Sequence, residues 1–347
     1  MSPSVEPTLR SWTSDGLGVI MLNRPRALNA LDQDMIRSLH RSLEEWAEQD
    51  SVKAVWLCGA GDKGLCAGGD IRAVREAVCA GDPDSALQFF GEEYALNALV
   101  ASYPKPYVAW MDGVVMGGGL GISGHGSHRL VTEATRVAMP ETIIGFFPDV
   151  GVRWLLARAP GELGTHLALT GVTIDGADAV AVGLADALVS SADRDEVFAD
   201  LRRQAREADA HPFSWCVPGP EHAVSGQQSG LAAQRTWVDE CYAGRDAPTI
   251  LQRLRGHGDP AAAEAAHQIE TRSPYSVAVT LEAVRRARTM SLEQVLAQDL
   301  TLAARIIAHP DFAEGVRAQL VDKDRAPQWS HGQVSEVSAE EVHAAFE

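Results

Sequence analysis

The chain has 347 residues, 46% of them hydrophobic, enough to bury a large core and to set disorder aside. A formal charge of −17 argues against a broad nucleic-acid-binding face, because non-specific affinity for a phosphate backbone depends on Lys and Arg neutralising it. With no apolar run near the roughly 20 residues that span a bilayer, and no targeting pattern in the first ten residues, the expectation is a cytoplasmic protein with no membrane partner.

In chain order, Gly18-Val19-Ile20-Met21-Leu22 reads as a strand that ends at the breaker Asn23-Arg24-Pro25. Asp32 to Gln49 places Met35, Ile36, Leu39, Leu43 and Trp46 on one helical face, with Asp32 available as N-cap. Ala54 to Cys58 is a continuous apolar strand that leads through Gly59-Ala60-Gly61 to Cys66-Ala67-Gly68-Gly69-Asp70, where Asp70 reads as the N-cap of a helix over Ile71 to Val78. Ser85 to Ser102 is helical, stopped by Pro104 and Pro106. Tyr107 to Met111 repeats the strand-to-glycine arrangement before Met116-Gly117-Gly118-Gly119, and Leu120 to Ser127 continues as a helix whose N-terminal dipole faces the ligand. Beyond residue 196 strand-like runs become rare. Leu251 to Gln268, Val277 to Arg288 and Leu292 to His309 read as helices, after a Pro-, Gly- and Gln-rich break near 212–230. The expected organisation is an α/β core over 1–195 and a helical C-terminal region over 196–347 packed on it.

Two glycine clusters at strand ends can each bring a backbone N–H against one carbonyl oxygen, where the pair stabilises developing negative charge as an oxyanion hole. Two carboxylates follow, Glu141 in Met139-Pro140-Glu141 and Asp149 after Pro148. Each alone reads equally well as a helix-start acid or a turn residue. Other constellations carry less. Cys58, Cys66, Cys79, Cys216 and Cys241 have neither CxxC nor Cys/His ligand spacing, which fits a reduced compartment, and Cys66 reads as a small apolar filler. His125 and His128, three apart, lack further ligands and read as structural, so no metal site is expected. Ser123 does not sit in a Gly-x-Ser-x-Gly elbow, and neither a Walker nor a dinucleotide fingerprint is present.

These segments, with Glu92-Glu93-Tyr94, Phe147-Pro148-Asp149-Val150-Gly151, Glu314-Gly315-Val316-Arg317 and Asp322-Lys323-Asp324, resemble the crotonase (enoyl-CoA hydratase/isomerase) superfamily from about Leu17 to Trp329. In detail they resemble its 3-hydroxyisobutyryl-CoA hydrolase branch rather than its hydratases. The resemblance implies a ββα superhelix that handles acyl-CoA, with the amides of Gly69 and Gly118 as oxyanion donors. Hydratases of the family carry a glutamate after the triplet, as Gly-Gly-Gly-x-Glu, and here that position is Gly121; Glu141 is retained and Asp149 is added. By the same resemblance Glu141 is the nucleophile or the general base, Asp149 holds the substrate's 3-hydroxyl or moves a proton, and Glu93 borders the acyl pocket. Arg24, Ala27, Ala67, Asp70 and Ile71 match the edge that holds CoA. CoA arrives as part of the substrate, so no separate cofactor is implied, and members commonly form trimers or hexamers, which makes a homo-oligomer the expectation. The activity implied is hydrolysis of a short branched β-hydroxyacyl-CoA in valine breakdown. The rivals are a hydratase or isomerase on the same fold and a non-catalytic acyl-CoA-binding protein.

Overall fold

The computed structural model describes residues 6–208, 218–219, 222–224 and 226–347; Cys216 and parts of the 212–230 break lie outside the described residues. The strands are β1 (Leu9–Ser14), β2 (Leu17–Leu22), β3 (Ala54–Gly59), β4 (Tyr107–Met111), β5 (Val114–Met116), β6 (His128–Thr132), β7 (Arg136–Ala138) and β8 (Ala187–Val189). Six of them form one sheet in the order β1-β2-β3-β4-β6-β8. Only the β1–β2 pair is antiparallel, and β5 pairs in parallel with β7 as a separate small layer. β1 was not expected from sequence, because of its six residues only Leu9 is buried and no apolar alternation marks it. It is recruited by the tight Asp15-Gly16 turn, both residues at positive φ, which suits the twist of a hairpin.

The near-continuous apolar runs of β3 and β4 follow from burial on both faces of the sheet. On the outer face Trp56 stacks on Trp110 with ring centroids 5.6 Å apart, and the helix Arg194–Glu207 covers them with Phe198, Val197 and Leu201. The inner face meets the helices Gln33–Glu48 and Pro83–Ala101, and that core runs on without interruption into the C-terminal helices as far as Ala345. An α/β architecture with a helical C-terminal region is therefore what the chain adopts.

Three local expectations change. The helix after the second glycine cluster is Gly118–Ser123, starting two residues earlier and ending four earlier than Leu120 to Ser127, because Gly124 closes it and the chain must turn to enter β6. The helix expected over Leu251 to Gln268 is two helices, Ala247–Gly256 and Pro260–Glu270; Gly258 at φ +83° and Pro260, which has no N–H to donate, break it, and Asp259 caps the second. Asp70 precedes its helix but its side chain makes no capping bond, since its carboxylate is drawn to Arg24 at 3.2 Å. Asp32 does cap, accepting from the Met35 N–H at 2.8 Å.

Leu201 is fully buried between that helix and the outer sheet face. Leu201→Ala is expected to cost about 2–5 kcal/mol in urea unfolding; a loss below about 1 kcal/mol would mean the outer face does not need this cover.

Candidate active site

The two strand-to-glycine units converge through single backbone bridges, Gly64 with Gly113 and Cys66 with Val115, and Gly69 bridges back to Leu31. Because Gly117 sits at φ +50° and a side chain at Gly118 would collide with Glu93 Oε1, only glycine fits there. The position a Cβ would take at Gly118 is 3.3 Å from the Gly69 nitrogen, so the two segments lie in backbone contact. Among the described residues neither the Gly69 nor the Gly118 N–H has a hydrogen-bond acceptor. Gly69 and Gly118 both line a cavity of about 280 Å³.

Three carboxyl groups line the same cavity: Glu93 from the helix Pro83–Ala101, Glu141 at the start of a 3₁₀ turn after Pro140, and Asp149 in the turn after Pro148. They are 2%, 7% and 5% exposed, nearly as dry as core leucines. Glu93 Oε1 and Glu141 Oε2 have no hydrogen-bond partner within the chain, whereas Asp149 Oδ2 accepts from the Tyr94 hydroxyl at 2.7 Å. Burial holds Glu93 and Glu141 well above the usual carboxylate range, and the nearby Asp149 charge pushes both further. Burial, then the Asp299 charge, raises Asp149 to about 7, against lowering by its Tyr94 bond and by Arg153. The three share protons as one system, and orphaned buried acceptors in a cavity are positioned to meet polar atoms of a ligand.

Of the residues matched to a CoA edge, Ala67 and Ile71 line the cavity. Arg24, Ala27 and Asp70 are not among its lining residues: the Arg24 guanidinium donates to Ala30 O at 2.7 Å and pairs with Asp70 and Asp32, and Ala27 is exposed on the adjoining turn. That turn still abuts the cavity wall, because the Ala67 N–H donates to Leu28 O at 3.0 Å. Cys66 is wholly buried with its thiol pushed up to about 12 by desolvation, in keeping with a packing role. At position 121 the space is taken: a Cβ there would come within 2.7 Å of Val150 Cβ and 3.0 Å of Asn97 Nδ2.

Sequence reasoning missed Tyr94, Phe90, Phe146, Gln319 and Leu320 as neighbours of the carboxylates or walls of the cavity. Phe90 and Tyr94, four apart around Glu93, carry a helical signal for a shared face; Gln319 and Leu320 arrive from a π-helical turn, Arg317–Val321, that no local pattern announces. The cavity also explains Glu92, which turns outward to a two-point pair with Arg37 at 2.7 and 2.8 Å while Glu93 turns in.

Two neighbouring acceptor-free amides beside buried carboxylates are the kind of arrangement that can stabilise charge on a carbonyl oxygen. The Enoyl-CoA hydratase/isomerase family model matches residues 17–346, and the chain belongs to that family. It is 39% identical over 331 residues to the 3-hydroxyisobutyryl-CoA hydrolase, mitochondrial, of Danio rerio and 39% over 333 residues to that of Rattus norvegicus, spanning 95% of this chain and 86% of each relative. The crystal structure of a carnitinyl-CoA dehydratase from Mycobacterium thermoresistibile superposes with a TM-score of 0.92 at 44% identity, covering 99% of this chain and 97% of that one.

A raised Asp149 has a signed consequence. The folded chain keeps that proton up to about pH 7 while the unfolded chain releases it near 3.8, so its contribution to stability is fully present below about 3.8 and lost as pH rises through about 7. Asp149→Asn removes that loss: its Tm is expected to gain on wild type with rising pH, most above pH 7, and Tm curves that run parallel across this range would show that Asp149 ionises normally.

Proposed function

We propose that this chain hydrolyses 3-hydroxyisobutyryl-CoA to the free acid and CoA, in valine breakdown. The observation that carries the reading is the distribution of carboxylates: Glu141 and Asp149 share one cavity with two acceptor-free amides, while Val150 and Asn97 occupy the place of a second hydratase glutamate. The names of the 39% identical relatives support it.

The thioester oxygen sits between the Gly69 and Gly118 N–H groups, which take up the negative charge of the tetrahedral intermediate. Glu141 acts in its ionised form, the less populated one given its raised proton affinity: it attacks the thioester carbon, expelling CoA thiolate and leaving a mixed anhydride that water then opens, or it takes a proton from water, whose hydroxide attacks directly. Asp149, near neutrality in its affinity for protons, donates to the leaving thiolate or accepts from water. Glu93, whose Oε1 is unpartnered, accepts the substrate's 3-hydroxyl, so an analogue without that hydroxyl leaves a buried acceptor unpaired and reacts poorly. Ala67 and Ile71 border the path of the pantetheine arm. Both amides and all three carboxylates come from one chain; a homo-oligomer remains part of the proposal without being needed to complete this pocket. No helix among the described residues is long and apolar enough to cross a membrane. Free thiols at Cys58, Cys66, Cys79 and Cys241 support a reduced, cytoplasmic location, and cell fractionation decides between it and the compartment in the relatives' names.

Hydration or dehydration is the competing reading, favoured by the name of the Mycobacterium thermoresistibile structure. With Glu141 retained but no carboxylate and no room for one at 121, where the hydratases carry their other glutamate, crotonyl-CoA absorbance is expected to stay constant while thiol release from 3-hydroxyisobutyryl-CoA proceeds. The opposite pattern selects the hydratase. Binding of acyl-CoA with no turnover of either thioester selects a non-catalytic carrier.

Glu141→Gln is expected to lower kcat roughly 10²- to 10⁴-fold with CoA affinity nearly unchanged, and wild-type turnover in that variant overturns the assignment. Borohydride added during turnover modifies Glu141 on the anhydride route only.

A further inference from the structure

We propose that Asp299, on a helix outside the cavity, is a positioning residue that holds the strained turn aiming Asp149 at the acyl group. Asp299 belongs to the helix Leu292–Ile307 and lies 299 − 149 = 150 residues downstream of Asp149. It does not line the cavity, so its effect reaches substrate only through the turn.

The turn itself is unusual. Val150 has φ +51° and Gly151 φ +73°. A β-branched residue in the left-handed region is an outlier that persists only where its surroundings impose it, and such strain gathers at functional sites. Here three contacts impose it. His125 Nε2 donates to Val150 O at 2.8 Å, the Val150 side chain fills the space beside Gly121, and Asp299 Oδ2 accepts the Gly151 N–H at 2.8 Å.

Asp299 is in turn clamped. Its Oδ1 accepts from Arg153 Nε at 2.9 Å and from Nη2, and Arg153 also donates to Ala283 O at 3.0 Å and Gln298 Oε1 at 3.1 Å. Both side chains are completely buried. A buried ion pair is a weak source of stability compared with an apolar pair of the same volume, so its value here is the geometry it enforces. It also sets charge around Asp149. Facing that carboxyl are Glu93 and Tyr94 from the helix Pro83–Ala101, Glu141 from the 3₁₀ turn, Arg153 from the helix Val152–Leu156, and Asp299 itself. Asp299 favours the protonated form of Asp149 and Arg153 opposes it, so removing the Asp299 charge must lower the Asp149 pKa.

The proposal rests on the hydrolase reading only for what Asp149 does with its proton, and the test separates the two. Infrared titration of the Asp149 carboxyl, isolated as the difference from Asp149→Asn, is compared in wild type and Asp299→Asn alongside kcat and KM. Expected in Asp299→Asn are a lower Asp149 titration point and a kcat reduced roughly ten- to hundredfold, with KM changed less than about threefold. An Asp149 titration and a kcat that both match wild type overturn the proposal. If the titration moves but kcat stays at wild type in both Asp299→Asn and Asp149→Asn, it is the catalytic role of Asp149 that fails, and the Tm and backbone order of the turn in the double variant Arg153→Met/Asp299→Val decide whether Asp299 holds it. Should Asp299→Asn not fold, that double variant removes both charges with little change in summed volume and leaves the Gly151 N–H without its acceptor. Its kcat is expected to fall by the same factor with a Tm lowered by the unpaired N–H, and full activity in the folded variant overturns the proposal.

Discussion

The bridges that tie Gly64 to Gly113 and Cys66 to Val115 press two strand-ending glycine segments into backbone contact, and the rest of the site is arranged around that closeness. Backbone amides can be brought this near one another only where no side chain intervenes, which is why Gly117 and Gly118 have neighbours that any Cβ would strike. Once there, the amides cannot satisfy each other, since both are donors. They need an oxygen from elsewhere, and the cavity that they face is where one can come from.

Around these donors the chain assembles three acids with little to neutralise them. Tyr94 is the hydrogen-bond partner of Asp149, and among the described residues no cationic side chain lines the cavity. Burial therefore works against ionisation of Glu93, Glu141 and Asp149 alike, and their protons are held in common. Such a site lowers stability in return for acids of raised proton affinity, with Asp149 at about 7, where proton transfer is most effective. The cost is offset by an extensive apolar core: Phe90 stacks on Phe146 at 5.1 Å, Phe146 meets Phe147 and Phe312, and these rings join the cavity to the C-terminal helices.

The C-terminal helices thus belong to the chemistry as well as to the packing. Arg317 gathers Glu314, Asp322 and Asp324 at 2.6–2.8 Å, which holds the π-helical turn that puts Gln319 and Leu320 into the cavity wall. Arg75 ties its own helix to the same region by donating to Ala313 O at 2.8 Å. The motif Glu314-Gly315-Val316-Arg317 is therefore a structural clasp next to the site, with Gly315 packed against Ile144 just beyond Glu141.

Much was legible without coordinates because it was local. Apolar runs at β2, β3 and β4, the amphipathic helix behind Asp32, and glycines placed where strands end follow from side-chain period and backbone sterics alone. So does the absence of a carboxylate at Gly121, which is a matter of residue identity. Three things needed the fold. Asp70 seemed destined to cap a helix until Arg24, 46 residues away, claimed its carboxylate. Glu92 and Glu93 are indistinguishable as neighbouring acids until the helix's rotation sends one to Arg37 and the other into a dry cavity. Asp299 carries no local sign of its link to Asp149, because the hydrogen bond to Gly151 and the pair with Arg153 exist only once helices remote in sequence are packed together, and burial, which sets the proton affinity of every acid here, is a property of that packing and of no residue by itself.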